Sequence, residues 1–133
     1  MHELLADYHS TFYALGTLSG LMLVQLLVAD VAGIKAGHTP GDSIPTNHDS
    51  FLFRAARTVA NINESLAIFL LAVLFCLFMG ANPDTTATFA WVYLGARIAY
   101  VVCYYLNIKL VRSICFVVSL IGIAGLLYTG FTS

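Results

Sequence analysis

The chain has 133 residues, 59% of them hydrophobic and only 10% charged, with a mean hydropathy of +0.85. A soluble domain carries about 25% charged residues, so this composition excludes an ordinary water-facing surface and places the chain in the membrane class. A net charge of −1 excludes a bulk basic field for nucleic acid, and three cysteines (Cys76, Cys103, Cys115), all within apolar stretches, form neither a disulfide framework nor a CxxC metal site.

The opening residues, MHELLADYHS, are acidic rather than basic, and the apolar run after them is too long for the hydrophobic part of a cleavable signal. It reads as a retained first helix over about 8–34. Gln25 and Asp30 are polar residues facing the membrane on it, and Asp30 is expected to pair with a basic residue. Gly16 and Gly20, four apart, permit close helix approach. Residues 35–49, KAGHTPGDSIPTNHD, hold the Gly, Pro, Ser, Thr and Asn of a loop. Its His38, His48 and Asp49 lack the spacing of a known metal site, and no metal is expected.

The second helix is expected over 51–80. A turn at 81–86, ANPDTT, follows, with Asp84 or Thr85 as the cap of a third helix over 85–106. Residues 107–113, NIKLVRS, read as a short polar link, and a fourth helix runs over 113–131. Each apolar run has the roughly 20 residues needed to cross a bilayer, and none alternates as a barrel strand does. The aromatics Trp91, Tyr93, Tyr128 and Phe131 suit the outer interface or the lipid face. The expected fold is therefore an all-α membrane protein, a bundle of four transmembrane helices in a single domain, 1–133.

All six Lys and Arg residues (Lys35, Arg54, Arg57, Arg97, Lys109, Arg112) lie in or near the first and third connections. With four crossings those connections share one side. The positive-inside rule makes that side cytoplasmic and both termini external. A bacterial inner membrane is the expected location.

Placed on a helix, Arg54, Arg57, Asn61 and Glu64 fall within about 80° of one another, as one polar stripe descending from the basic end. Arg97, Tyr100 and Tyr104 share a face of the third helix, at i, i+3 and i+7. A guanidinium as deep as Arg97 costs several kcal/mol unless paired, and Glu64 is the natural partner. A lone Glu64–Arg97 pair that only fixes the bundle is one reading. The addition of Arg54, Arg57, Asn61, Tyr100, Tyr104 and Arg112 favours another: a site for a small, multiply charged anion that also carries an amine.

The second-helix pattern R-x3-N-x2-E (Arg57, Asn61, Glu64) and the third-helix pattern A-R-x2-Y-x3-Y (Ala96, Arg97, Tyr100, Tyr104), followed by Arg112-Ser113, resemble the MAPEG family, the membrane-associated proteins of eicosanoid and glutathione metabolism. Length and helix layout match over the whole chain. The resemblance implies a homotrimer with glutathione as co-substrate, bound between subunits. By position it implies glutathione contacts from Arg57, Asn61, Glu64, Arg97, Tyr104 and Arg112, with Tyr100 and Ser113 beside them. Lys35 corresponds to an arginine ending the first helix in several members, and Arg54 continues the basic stripe. Arg112 matches the thiol-activating arginine, with Tyr104 as the second catalytic group.

The expected activity is that of a glutathione transferase, with peroxidase activity where the second substrate is a lipid hydroperoxide rather than a hydrophobic electrophile. The expected partners are glutathione, that second substrate, membrane lipid and two further copies of the chain, with no nucleic acid. The alternatives are a non-enzymatic lipid-binding scaffold of the same fold and a small four-helix transporter using Glu64 as its proton-coupled acid.

Overall fold

A computed structural model describes residues 1–133. A short helix, α1 (His2–Asp7), precedes four long ones: α2 (His9–Lys35), α3 (Phe51–Phe78), α4 (Pro83–Tyr105) and α5 (Lys109–Phe131). Each of the four is long and apolar enough to cross a membrane. The chain is thus an all-helical, multi-pass membrane protein, as its hydropathy requires.

The helix ends are set by local chemistry. Ser50 caps α3, its Oγ accepting from the Phe53 N–H at 3.4 Å. Asn82, not Asp84 or Thr85, caps α4: its Oδ1 accepts from the Thr85 N–H at 3.0 Å, with Pro83 in the first helical position. Pro83, whose fixed φ suits the first turn, moves the start of the helix two residues earlier than the expected 85. Asp84 then lies in that turn, where the helix dipole favours an acid.

Three helices end on residues in the left-handed conformation, Gly37 (φ 68°) after α2, Gly80 (φ 62°) after α3 and Asn107 (φ 59°) after α4. At Asn107 the Ile108 N–H reaches the Cys103 carbonyl at 2.8 Å and the Asn107 N–H the Tyr104 carbonyl at 3.0 Å. This double closure consumes the orphan carbonyls in so little chain that α5 starts at Lys109, not 113. Arg112 therefore lies within the first turns of α5 rather than in a short polar link.

The core runs the length of the bundle. Ala14 and Leu18 of α2, Ile62, Phe69 and Val73 of α3, Tyr93 and Leu94 of α4, and Ile123 and Leu126 of α5 are all buried together. Tyr93 lies inside rather than at the lipid face. Its ring stacks on Phe69 at 4.0 Å, and its hydroxyl meets the Ser65 hydroxyl at 2.8 Å, so the polar tip is satisfied in the core.

Gln25 is likewise fully buried, donating from Nε2 to the Thr58 carbonyl at 3.2 Å. Asp30 is exposed and has no basic partner within the chain. The helices approach most closely through α5 against α4, where a Cβ on Gly122 would sit 2.8 Å from the Tyr93 backbone nitrogen. Gly16 and Gly20 have open space around them. The outer faces carry exposed leucines, isoleucines and valines, among them Leu23, Leu27, Leu71 and Ile121, a coat suited to hydrocarbon rather than water.

Candidate functional site

At the basic end, α3, α4, α5 and the end of the α2–α3 loop bring several of the expected site residues together. Arg97 is completely buried, and its Nη2 donates to Asn61 Oδ1 at 2.6 Å. Its guanidinium also lies over the Tyr100 ring, 4.5 Å from the centroid, and 6.0 Å from that of Phe116. Its Nε and Nη1 have no partner.

The expected Glu64–Arg97 pair is not formed. Asn61 and Glu64 lie three residues apart, but Asn61 turns into the bundle while Glu64 is exposed on its outer side. The stripe is wider than the contact between α3 and α4, so only its inner edge meets Arg97.

Nearer the end of the bundle, the Arg112 guanidinium lies 4.3 Å from the centroid of the Tyr104 ring. Its Nη1 is buried and without a partner. Tyr104 is buried, edge-on to Tyr100 at 5.6 Å. The N-terminus of α5 has no side-chain cap and no acidic residue in its first turn, while Lys109 and Arg112 add cations there. Cations beside the positive end of a helix dipole repel it, unless an anion joins them.

Arg54 serves the framework of this end. Its Nη1 donates to the His48 carbonyl at 2.7 Å and its Nη2 to the Tyr105 carbonyl at 3.4 Å, in the last turn of α4. Arg57 is half-buried.

Three expected residues are not brought in. Lys35 is exposed beside Leu27, Val31 and Phe51 on the outside of α2. Ser113 is exposed and donates back to the Lys109 carbonyl at 3.2 Å, within its own helix. Glu64 is the third. None of the five main cavities of the chain is lined by Arg97, Tyr104 or Arg112. The largest, about 600 Å³, lies between the end of α2, the loop and α3, beside Asp30, His38 and Asp42.

One residue of this end was not foreseen as part of it. His48 stands over Tyr104, with its Nε2 3.4 Å from the phenolic oxygen. In sequence it is one of two loop histidines, with His38. Only its place just before the Ser50 cap sets it near the entry to α3.

The donor set has one chemical character. Four guanidinium nitrogens, Arg54 Nε, Arg97 Nε and Nη1, and Arg112 Nη1, are buried with no acceptor in the chain. Buried N–H groups of that kind call for an anion, and carboxylates satisfy guanidinium groups best. Fold and site together define a polytopic helical membrane protein whose basic end holds buried guanidinium N–H groups without an acceptor in the chain. The chain belongs to the MAPEG family, whose model matches residues 10–132. That family includes glutathione transferases, peroxidases and leukotriene synthases, and its members use glutathione. No curated protein and no solved structure matches the chain.

Proposed function

We propose that this chain is a glutathione transferase, with peroxidase activity toward lipid hydroperoxides, that joins the cytosolic tripeptide to hydrophobic electrophiles dissolved in the membrane. The observation that carries this reading is the Arg112 guanidinium, 4.3 Å over Tyr104, with an unpartnered buried N–H at the uncapped start of α5. A scaffold that only binds lipid has no use for a cation held there.

Glutathione, when bound, supplies a thiol that is a nucleophile only as the thiolate, and at a pKa of roughly 8.5 only a few per cent is ionised at pH 7. The protein's part is electrostatic. Arg112 favours the anion, and Tyr104 offers a phenol beside it. A lowering of about two units corresponds to roughly 2.7 kcal/mol. The unpartnered nitrogens of Arg97 and Arg54 suit the carboxylates of the peptide, and Arg57 adds a further cation at the same end.

Glu64 suits its ammonium, and with Lys35 and Ser113 it stands outside the cluster formed by one chain. We therefore read the active assembly as a homotrimer in which neighbouring copies cover those residues. The exposed acid on a membrane-crossing helix supports this, because such a group needs a partner or water. The basic end is read as cytoplasmic.

The test is Arg112→Ala in detergent-purified protein, followed by the ultraviolet absorbance of bound thiolate against pH. Conjugation should fall about 10- to 1,000-fold, the loss of one preorganised charge, and thiol ionisation should move to higher pH. Affinity for glutathione should fall much less. A full-rate variant with an unshifted profile would remove Arg112 from the chemistry and leave Tyr104 as the activator.

A further inference from the structure

We propose that the end of the α2–α3 loop, Asn47–Asp49, is a latch across the basic end of the bundle, and that His48 is a positioning residue for Tyr104. The inference deepens the proposed function, since it rests on Tyr104 belonging to the thiol site.

The latch is built from both of its sides. Within the loop, the Asp49 N–H donates to Asn47 Oδ1 at 3.0 Å, and the Ser50 N–H to the Asn47 carbonyl at 3.0 Å, which closes a tight turn around His48. The His48 carbonyl accepts from Arg54 Nη1 at 2.7 Å, and Arg54 in turn reaches the Tyr105 carbonyl. One guanidinium thus ties the loop to α3, on which it sits, and to the end of α4. The His48 ring meets the edge of Phe53 at 5.0 Å, with 76° between planes. It lies nearly parallel to Tyr104, 16° between planes at a centroid distance of 6.3 Å.

The consequence falls on the phenol. Tyr104 is only 4% exposed, and its hydroxyl has one hydrogen-bond partner in the chain, His48 Nε2 at 3.4 Å. A buried hydroxyl needs such a partner, and a phenol oxygen can donate one bond and accept two. His48 takes one of these and so fixes the hydroxyl end of the ring. The remaining capacity is left for a ligand beside Arg112, whose guanidinium lies on the same ring. A loop that merely covered the bundle would be served as well by an apolar residue against Phe53. The imidazole nitrogen at the phenol is what an apolar residue would not supply. His48 therefore acts on the thiol through Tyr104, not by touching it.

The experiment uses the full chain in detergent with ¹³C-labelled tyrosine rings, the Tyr104 signal being identified by its loss in Tyr104→Phe. Without glutathione, His48→Ala should shift the Tyr104 signal, above all that of the carbon bearing the hydroxyl. Arg54→Ala should change it in the same direction. With glutathione and a small hydrophobic electrophile, His48→Ala should lower kcat/KM about 3- to 10-fold, the size of one neutral hydrogen bond, and His48→Gln should recover part of the loss. In the Tyr104→Phe background, His48→Ala should have no further effect. An unmoved Tyr104 signal, or an equal loss of rate in both backgrounds, would overturn the proposal. If no form of the protein turns over glutathione, the enzyme reading fails, and the ring signals alone decide the latch.

Discussion

Removing the one hydrogen-bond partner of Arg97 should be among the most damaging single changes in this chain. Arg97 is fully buried, its Nη2 is held by Asn61 at 2.6 Å, and its Nε and Nη1 have no partner. A hydrogen bond to a charged group contributes about 1.5–3 kcal/mol, and a buried charge stripped of its partner costs about 3–5 kcal/mol. The faces of Tyr100 and Phe116 remain, and a desolvated cation–π contact offsets about 1–2 kcal/mol of this. Asn61→Ala should therefore cost about 1–4 kcal/mol, the balance of those terms.

The assay is unfolding by sodium dodecyl sulfate in mixed micelles, followed by the fluorescence of Trp91, the chain's one tryptophan. In an Arg97→Leu background the same change should cost less than about 1 kcal/mol, because no charge is then orphaned. Glu64→Gln, which removes the partner that helical phase alone would choose, should move the midpoint far less than Asn61→Ala. If Glu64→Gln proves as damaging, or if Asn61→Ala leaves the midpoint in place, the pairing described here is wrong.

Glu64→Gln should instead weaken glutathione binding, measured by calorimetry, through loss of a counter-charge for the peptide's ammonium. Unchanged affinity in the folded variant would remove Glu64 from the site. Gly122→Ala should destabilise the bundle by about 1–3 kcal/mol, since backbone atoms of α4, which do not yield as a side-chain end does, occupy the space its Cβ needs. Gly16→Ala serves as the control in the same unfolding assay, with nothing within 4 Å of its Cβ in the chain. A cysteine placed in 35–49 should react with an impermeant thiol reagent only from the cytoplasm, and one placed in 81–86 only from the other side. The reverse pattern would invert the orientation drawn from the six basic residues.

Much of this protein follows from properties a residue carries wherever the chain takes it. Continuous apolar runs demand helices in a bilayer, because backbone groups there have only each other to bond. The four long helices could thus be read directly, and so could the gathering of Lys and Arg at one end. Turn residues act locally too, though neighbours shift their effect: Pro83 moved a cap to Asn82, and the closure at Asn107 extended α5 back to Lys109.

What the sequence did not determine is how each helix is rotated about its own axis. In a helix that is apolar all round, the inward face leaves little mark in composition, since leucine serves lipid and core alike. That rotation is decided by packing, by Gly122 meeting the backbone of α4 and Phe69 stacking on Tyr93. It is why Gln25 and Tyr93 lie inside, why Asn61 rather than Glu64 meets Arg97, and why Ser113 faces away from Arg112's ring contact. The position of His48 over Tyr104 depends on a loop folding back across two helices, tied down by an arginine six residues later. No periodicity encodes that contact, because it exists only once α3 and α4 stand side by side.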